Sequence, residues 1–412
     1  MQVIFHRRTL RRRKSILPPV KVAAAAEVFG TALKLGLTSF GGPIAHLGYF
    51  ERTYVQQRHW LTGEQFGGLV ALCQILPGPT SSQIGFSIGL QRAGWGGAMA
   101  AWLGFTLPSA LLMYLCAVFT ANLHGSLAHS LVHGLQLVAV AVVAQAVWNM
   151  ARTFCRDRIT VAIALAAACL LVVIGGAATQ LGVLAAAALA GMAWCRRPRA
   201  QMAHLVFPIS SVAAWTALGL FSTLLVLLPV LAPLFPRTIV ALADIFYRSG
   251  ALVFGGGHVV LPLLRDAMVP LGWIDDDRFL TGYGFAQALP GPLFTLAAYL
   301  GAANAYLPPA WSALVAVIFI FLPGLLVTVA GLALLGRVSR HDLVRPALTG
   351  INAAVVGVLA AALYNPVWTT AVRGRIDVAI ALIGLLLLMR WRVPPLAVVV
   401  FALACSAAAD LI

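Results

Sequence analysis

Gln74-Ile75-Leu76-Pro77-Gly78-Pro79 lies inside a long apolar stretch, and it returns as Gln287-Ala288-Leu289-Pro290-Gly291-Pro292 in the second half of the chain. Proline removes a backbone donor and crowds the preceding turn, and glycine weakens a helix further. In hydrocarbon no water meets the freed carbonyls, so a backbone broken there must be buried in protein or line a wet cavity. A proline kink without a ligand is the plain alternative for one copy. Two copies at matching places in two halves point instead to a substrate site at a repeat interface.

The rest of the composition agrees with a membrane setting. Of 412 residues, 61% are hydrophobic and only 10% charged, against about a quarter charged in soluble domains. The expected fold is an all-α polytopic membrane protein. The formal net charge of +16 does not indicate a nucleic-acid partner. Its basic residues crowd a cytoplasmic N-terminal arm over residues 1–26 and the loops between apolar spans, as orientation by positive charge requires. The six cysteines form no C-x-x-C pair and are read as small buried hydrophobes. No catalytic cluster, metal site or cofactor is expected, and no P-loop sequence occurs, so transport must run on a gradient.

In chain order, a first span over about 27–45 is interrupted at Gly41-Gly42-Pro43, and a polar segment follows to Gly63. A second span over about 64–90 holds the first Pro-Gly-Pro, and continuous candidates follow at about 97–121, 131–151, 159–175, 178–195 and 205–232. The pattern then restarts at Asp244. Lys34-Leu35-Gly36 matches Arg248-Ser249-Gly250, Phe40-Gly41-Gly42 matches Phe254-Gly255-Gly256, and Trp60 matches Trp273. Pro108 matches Pro323, and Arg158-Ile159-Thr160-Val161-Ala162 matches Arg375-Ile376-Asp377-Val378-Ala379. The expected plan is about 13 spans: two six-span repeats, residues 27–195 and 244–412, joined by one extra span at 205–232. The odd linker inverts the second repeat relative to the first. With the N-terminus cytoplasmic, 21 lysines and arginines fall inside, among them Arg92, Arg265 and Arg278. Five fall outside: Arg52, Arg58, Arg237, Arg373 and Arg375.

Lys34 and Arg248 are left within spans, at the same repeat position. An intramembrane cation is expensive and usually functional; snorkelling to an interface is the other reading. If both face one cavity, they suit a divalent oxyanion, which arginine's planar fork grips bidentately. After Pro79 the chain reads Thr80-Ser81-Ser82-Gln83, and after Pro292 it reads Leu293-Phe294-Thr295. Helices starting there would aim free N–H groups into the cavity. Gly41 and Gly42, with Gly255, Gly256 and Gly257, would let backbone amides approach a ligand, or serve as small helix contacts. Gln74 and Gln287 adjoin the breaks as further ligands. His258 is a proton carrier or a satisfied structural histidine.

Taken together, Phe40-Gly41-Gly42-Pro43, Cys73 through Gln83, Phe254-Gly255-Gly256-Gly257-His258 and Gln287 through Thr295 resemble the chromate ion transporter (CHR) family in its long, two-domain form. The resemblance covers about residues 27–412. It implies chromate efflux across the bacterial inner membrane, driven by the membrane potential or the proton gradient. Chromate is a tetrahedral dianion isosteric with sulfate, so uptake or exchange of a sulfate-like anion stays open. A membrane-embedded enzyme or lipid-handling protein is the remote alternative. Expected partners are the anion, the lipid bilayer and a second copy of the chain as a homodimer.

Overall fold

The computed structural model describes residues 21–40, 42–121, 126–195, 207, 209–254, 257–338, 344–391 and 393–409. Among these every regular element is helical. Five helices are long and apolar enough to cross a bilayer: Thr80–Ala121, Val132–Phe154, Ser211–Leu231, Pro309–Ala333 and Pro346–Ala371. Leu165, Val173, Leu189, Val226 and Val400 each stand more than 60% exposed, as side chains facing lipid do.

The first unit opens with α1 (Lys21–Thr38), α2 (Gly42–Phe50, carried on by a widened turn Glu51–Gln57) and α3 (Gly63–Cys73). Helix α4 (Thr80–Ala121) is two limbs, because Ala93 and Gly94 leave helical geometry between them. These limbs correct the expected spans at 27–45 and 64–90. Glu27 accepts from Arg58 at 3.2 Å and from Arg92 at 3.1 Å, so the chain is back at its starting end both after α2 and after the first limb of α4. The expected span at 64–90 therefore holds both limbs of one hairpin, α3 and the first limb of α4, and the one at 27–45 holds α1 and the start of α2. Helix α3 is short: its 11 residues reach about 16 Å at 1.5 Å per residue, roughly half of a 30 Å hydrocarbon core. The arm likewise ends earlier than expected, since α1 already holds Lys21–Ala26; residues 1–20 lie outside the described residues.

The second unit repeats this with α9 (Ile239–Ala251), α10 (Val260–Met268), α11 (Asp276–Ala288), α12 (Leu296–Ala302) and α13 (Pro309–Val338), after α8 (Ser211–Leu231). Its open end is marked by Trp273, whose carbonyl accepts from Ala305 N–H at 3.1 Å and whose ring stands 5.3 Å from that of Tyr306. The second limb of α4 starts at the first unit's open end, passes Thr295 at Ser109, and reaches Tyr299 of α12 at Thr120, 3.2 Å away. Helix α13 starts beside α12, where Gly301 faces Ser312, and runs to Gly331, which faces Leu76.

Glycine sets how closely the helices approach. A Cβ on Gly36 of α1 would lie 2.7 Å from Phe105 O of α4, and Gly250 of α9 faces Ile320 O of α13 in the matching place. Helices α5 (Ser126–Phe154), α6 (Arg158–Val173) and α7 (Ala177–Trp194) complete the first unit. The second ends with α14 (Val344–Ala362), the single turn α15 (Thr369–Ala371), α16 (Arg375–Met389) and α17 (Pro395–Ala409). The last pairs are exchanged. Helices α6 and α7 pack on α14 of the other unit, Gly350 facing Ala187 and Gly357 facing Ala164, while α16 and α17 pack on α5. Cys73 and Cys195 are buried, but Cys169 is exposed on α6, which corrects the expectation that all six cysteines are buried.

Candidate functional site

The hairpin tips meet at the unit boundary. Gly78 N–H donates to Val253 O at 2.8 Å, and Gly291 N–H donates to Ser39 O at 2.9 Å. Each Pro-Gly-Pro thus pairs with the break after α1 or α9 of the other unit, and the two bonds sit at matching repeat positions. Both glycines have positive φ, +117° and +106°, which the absence of a Cβ permits. A Cβ on Gly78 would lie 2.7 Å from Gly324 Cα, and one on Gly291 would lie 2.7 Å from Ser109 Cβ. Gly324 and Ser109 follow the matched prolines Pro323 of α13 and Pro108 of α4, so both proline-bearing helices pack on the tips.

Side chains complete the junction unequally. Gln83 Nε2 donates to Pro77 O at 2.8 Å and to Gly324 O at 3.1 Å, tying the first break to α13. In the other unit Thr295, 1% exposed, bonds Ser109 Oγ at 2.5 Å and donates to Pro292 O at 2.8 Å. Its counterpart Ser82, 2% exposed, has no hydrogen-bond partner among the described residues for its hydroxyl, and the same holds for Ser39 Oγ and Gln287 Nε2. Buried polar atoms left unpaired within one or two turns of a backbone break are places where a ligand or water is wanted.

Among the expected residues, Pro77, Pro79, Pro290 and Pro292 frame these crossings, and Ser81 is buried beside them. Thr80 is half-buried and Gln74 is exposed. Gly42, with φ +75°, lies on the first tip, where an added Cβ would stand 3.5 Å from His258 Nε2. His258, one residue after Gly257, also bonds Tyr283 OH through Nδ1 at 2.9 Å. It therefore bridges α11 and the first unit's tip. Gly41, Gly255 and Gly256 lie outside the described residues.

The two cations differ. Arg248 is 46% exposed and clasps Asp244, which is 2% exposed, through Nε at 2.7 Å and through Nη2. The matching position in the first unit is Gly30, and Lys34 is exposed with no side-chain hydrogen bond or ion pair among the described residues. Only Arg248 therefore has a local counter-charge. In the sequence Gln83 carries no role beyond its motif and Asp244 marks only the start of the second repeat, while nothing there singles out Ser39 or Tyr283. Ser109 was findable, because it directly follows a proline that the repeat matches.

A family model described as "Chromate transporter" matches residues 26–192 and again residues 240–408. The chain belongs to the chromate transporter family. Relatives of this chromate transporter family member run through most of the chain. It is 28% identical over 405 residues to a chromate transport protein of Pseudomonas aeruginosa, covering 97% of this chain and 94% of that one. It is 28% identical over 388 residues to a probable chromate transport protein of Synechococcus elongatus, covering 90% and 92%. A chromate transport protein of Cupriavidus metallidurans is 27% identical over 357 residues, covering 86% and 84%. No solved structure matches the chain. Family membership makes this a multi-pass membrane transporter of an oxyanion rather than an enzyme.

Proposed function

We propose that this chromate transporter family member is a secondary carrier that expels chromate across the bacterial inner membrane, using the proton gradient or the membrane potential. The observation that carries the reading is the pair of matched crossings, Gly78 N–H to Val253 O and Gly291 N–H to Ser39 O. Broken helices from two repeats meeting tip to tip are how such carriers place an anion against helix starts. Lys34 and Arg248, with the amides of residues 80–82 and 293–294 and the Ser39 and Ser82 hydroxyls, would supply the charge and hydrogen bonds for a dianion. Arg248 would share its fork between Asp244 and the substrate.

We further propose nine crossings and four re-entrant hairpins, with the two units inverted in the bilayer. Support comes from the second limb of α4, which starts at one unit's open end and leads toward the other's. Under this topology Arg52 and Arg58 move to the inside and Arg265 and Arg278 to the outside. The balance stays 21 to five in favour of a cytoplasmic N-terminus. Purified protein in liposomes, loaded with unlabelled anion and given labelled chromate or sulfate, tests the assignment by counterflow. Chromate counterflow above that of empty liposomes, enhanced by an imposed potential, is expected. No counterflow of chromate would overturn it, and counterflow of sulfate alone would transfer the site to that anion.

A further inference from the structure

A polar cavity of about 560 Å³ opens at the first unit's open end, lined by Glu27, Arg58, His59, Trp60, Gln91 and Arg92. It lies far along the hairpins from the Pro-Gly-Pro tips. Its geometry is built rather than incidental. His59 takes a left-handed conformation, φ 52°, an uncommon state for a residue with a Cβ, and the chain reverses there between Arg58 and Trp60. The backbone N–H groups of both are tied back, to Thr53 O at 2.9 Å and Tyr54 O at 2.8 Å. Trp60 stacks on buried Tyr54 with ring centres 5.4 Å apart. The Arg92 guanidinium lies over the Trp60 ring at 5.4 Å, an arrangement that fixes its plane.

Between the two guanidiniums stands one carboxylate. Glu27 gives one oxygen to each arginine, at 3.2 and 3.1 Å. Two arginines against one glutamate leave a positive excess, and all three side chains remain between a third and a half exposed, so the pairing is open to exchange with solution ions. The second unit does not repeat these residues. Ala241, Leu271 and Ala305 occupy the positions of Glu27, Arg58 and Arg92. There Asn304 ties the turn through the N–H groups of Tyr306 and Leu307, and Tyr306 covers Trp273. The same hairpin pair thus closes without the Arg58–Glu27–Arg92 arrangement, its own cation, Arg237, lying instead over the Tyr306 ring at 4.6 Å.

We propose that this cavity is an oxyanion-receiving site at the mouth of the first unit, in which a free tetrahedral dianion replaces the Glu27 carboxylate between Arg58 and Arg92. Glu27 is an internal stand-in for the ligand: its two oxygens already occupy the positions that two oxyanion oxygens would take. It keeps the arginines paired when the site is empty and weakens binding enough for the ion to leave. The ligand class rests on the transport reading above; the site itself does not.

The test measures binding without transport. A cysteine placed at Gln91 is modified with an anionic methanethiosulfonate, in phosphatidylcholine nanodiscs, and the modification is read at that position by peptide mass spectrometry. Sodium sulfate is the probe, because chromate oxidises thiols. Sulfate should slow the modification well beyond sodium chloride of equal ionic strength. Glu27→Gln should lower the half-protecting sulfate concentration about fivefold, the upper end for a partly exposed ion pair, and Arg92→Gln should abolish protection. Should Arg92→Gln fail to fold through loss of its Trp60 contact, Arg58→Gln carries the same expectation. Equal protection by chloride, or protection surviving the loss of both arginines, would overturn the site. Protection by phosphatidylglycerol in the discs without sulfate would overturn the free-ion assignment in favour of a headgroup. Protection without chromate counterflow sinks the transport reading alone; counterflow without protection sinks this site alone.

Discussion

Gly78→Ala and Gly291→Ala probe the junction most directly. At Gly78 a methyl group would stand 2.7 Å from Gly324 Cα, a backbone atom that cannot swing aside, and φ is +117°. At Gly291 it would stand 2.7 Å from Ser109 Cβ, with φ +106°. Holding an L-residue in such a conformation costs about 1–3 kcal/mol, and forcing a methyl into a filled contact costs about 1–3 kcal/mol more. The combined penalty, roughly 2–6 kcal/mol, is a large part of the 5–15 kcal/mol that typically holds a protein folded. Gly85 is the control: it is buried in the first limb of α4, yet an added Cβ meets nothing within 4 Å, and alanine there should gain up to about 1 kcal/mol of helix propensity. Thermal melts of detergent-purified protein, followed by size-exclusion chromatography, should show both junction variants melting well below the parent, with Gly85→Ala equal to it or higher. Counterflow of the junction variants should fall with them. If Gly78→Ala and Gly291→Ala melt with the parent and transport normally, the tips are not packed as described and the junction argument fails.

Three further outcomes are expected. Arg248→Ala strands a carboxylate that is 2% exposed, so it should lower expression, while Asp244→Asn combined with Arg248→Gln should restore expression without restoring transport; restored transport would make the pair purely structural. Lys34→Ala should abolish counterflow with normal insertion, and Lys34→Arg should be the mildest change; normal transport in the alanine variant would make Lys34 an interfacial anchor. Cysteines at Gln57 and Gln91 should be labelled by an impermeant reagent from the same face of the membrane, and reporters after Arg199 and at the C-terminus should lie on opposite faces. Labelling of Gln57 and Gln91 from opposite faces would restore two crossing spans in place of the hairpins.

The duplication was legible because its markers are rare residue types in an apolar background: paired Pro-Gly-Pro, paired tryptophans, paired Arg-Ile starts. The breaks were legible for the same reason, since proline and glycine have no cheap place in a lipid-facing helix. The proposed re-entrance was not. Glu51, Arg52 and Arg58 after an apolar run look the same whether the chain has crossed or turned back. Charge counting could not detect the difference either, because exchanging Arg52 and Arg58 for Arg265 and Arg278 leaves the 21-to-five balance intact. Parity hid it too: nine crossings and thirteen both put the termini on opposite faces. The Glu27 network was invisible for a related reason, since its arginines had been assigned to opposite sides. Asp244 as the partner of Arg248 was within reach, being four residues earlier on one helix face.

The exchange of terminal hairpins between units has a consequence for biogenesis. Helix α5 leaves the ribosome more than two hundred residues before α16 and α17, the pair that covers it, and α6 and α7 are likewise made well before α14. The first half of a nascent chain therefore waits in the bilayer with its small-residue faces, such as that around Gly134 against Leu403, in contact with lipid. Packing is then completed late and in steps, α14 covering α6 and α7 before α16 and α17 cover α5. A chain stopped before Pro395 would be inserted yet unfinished, a natural target for membrane quality control.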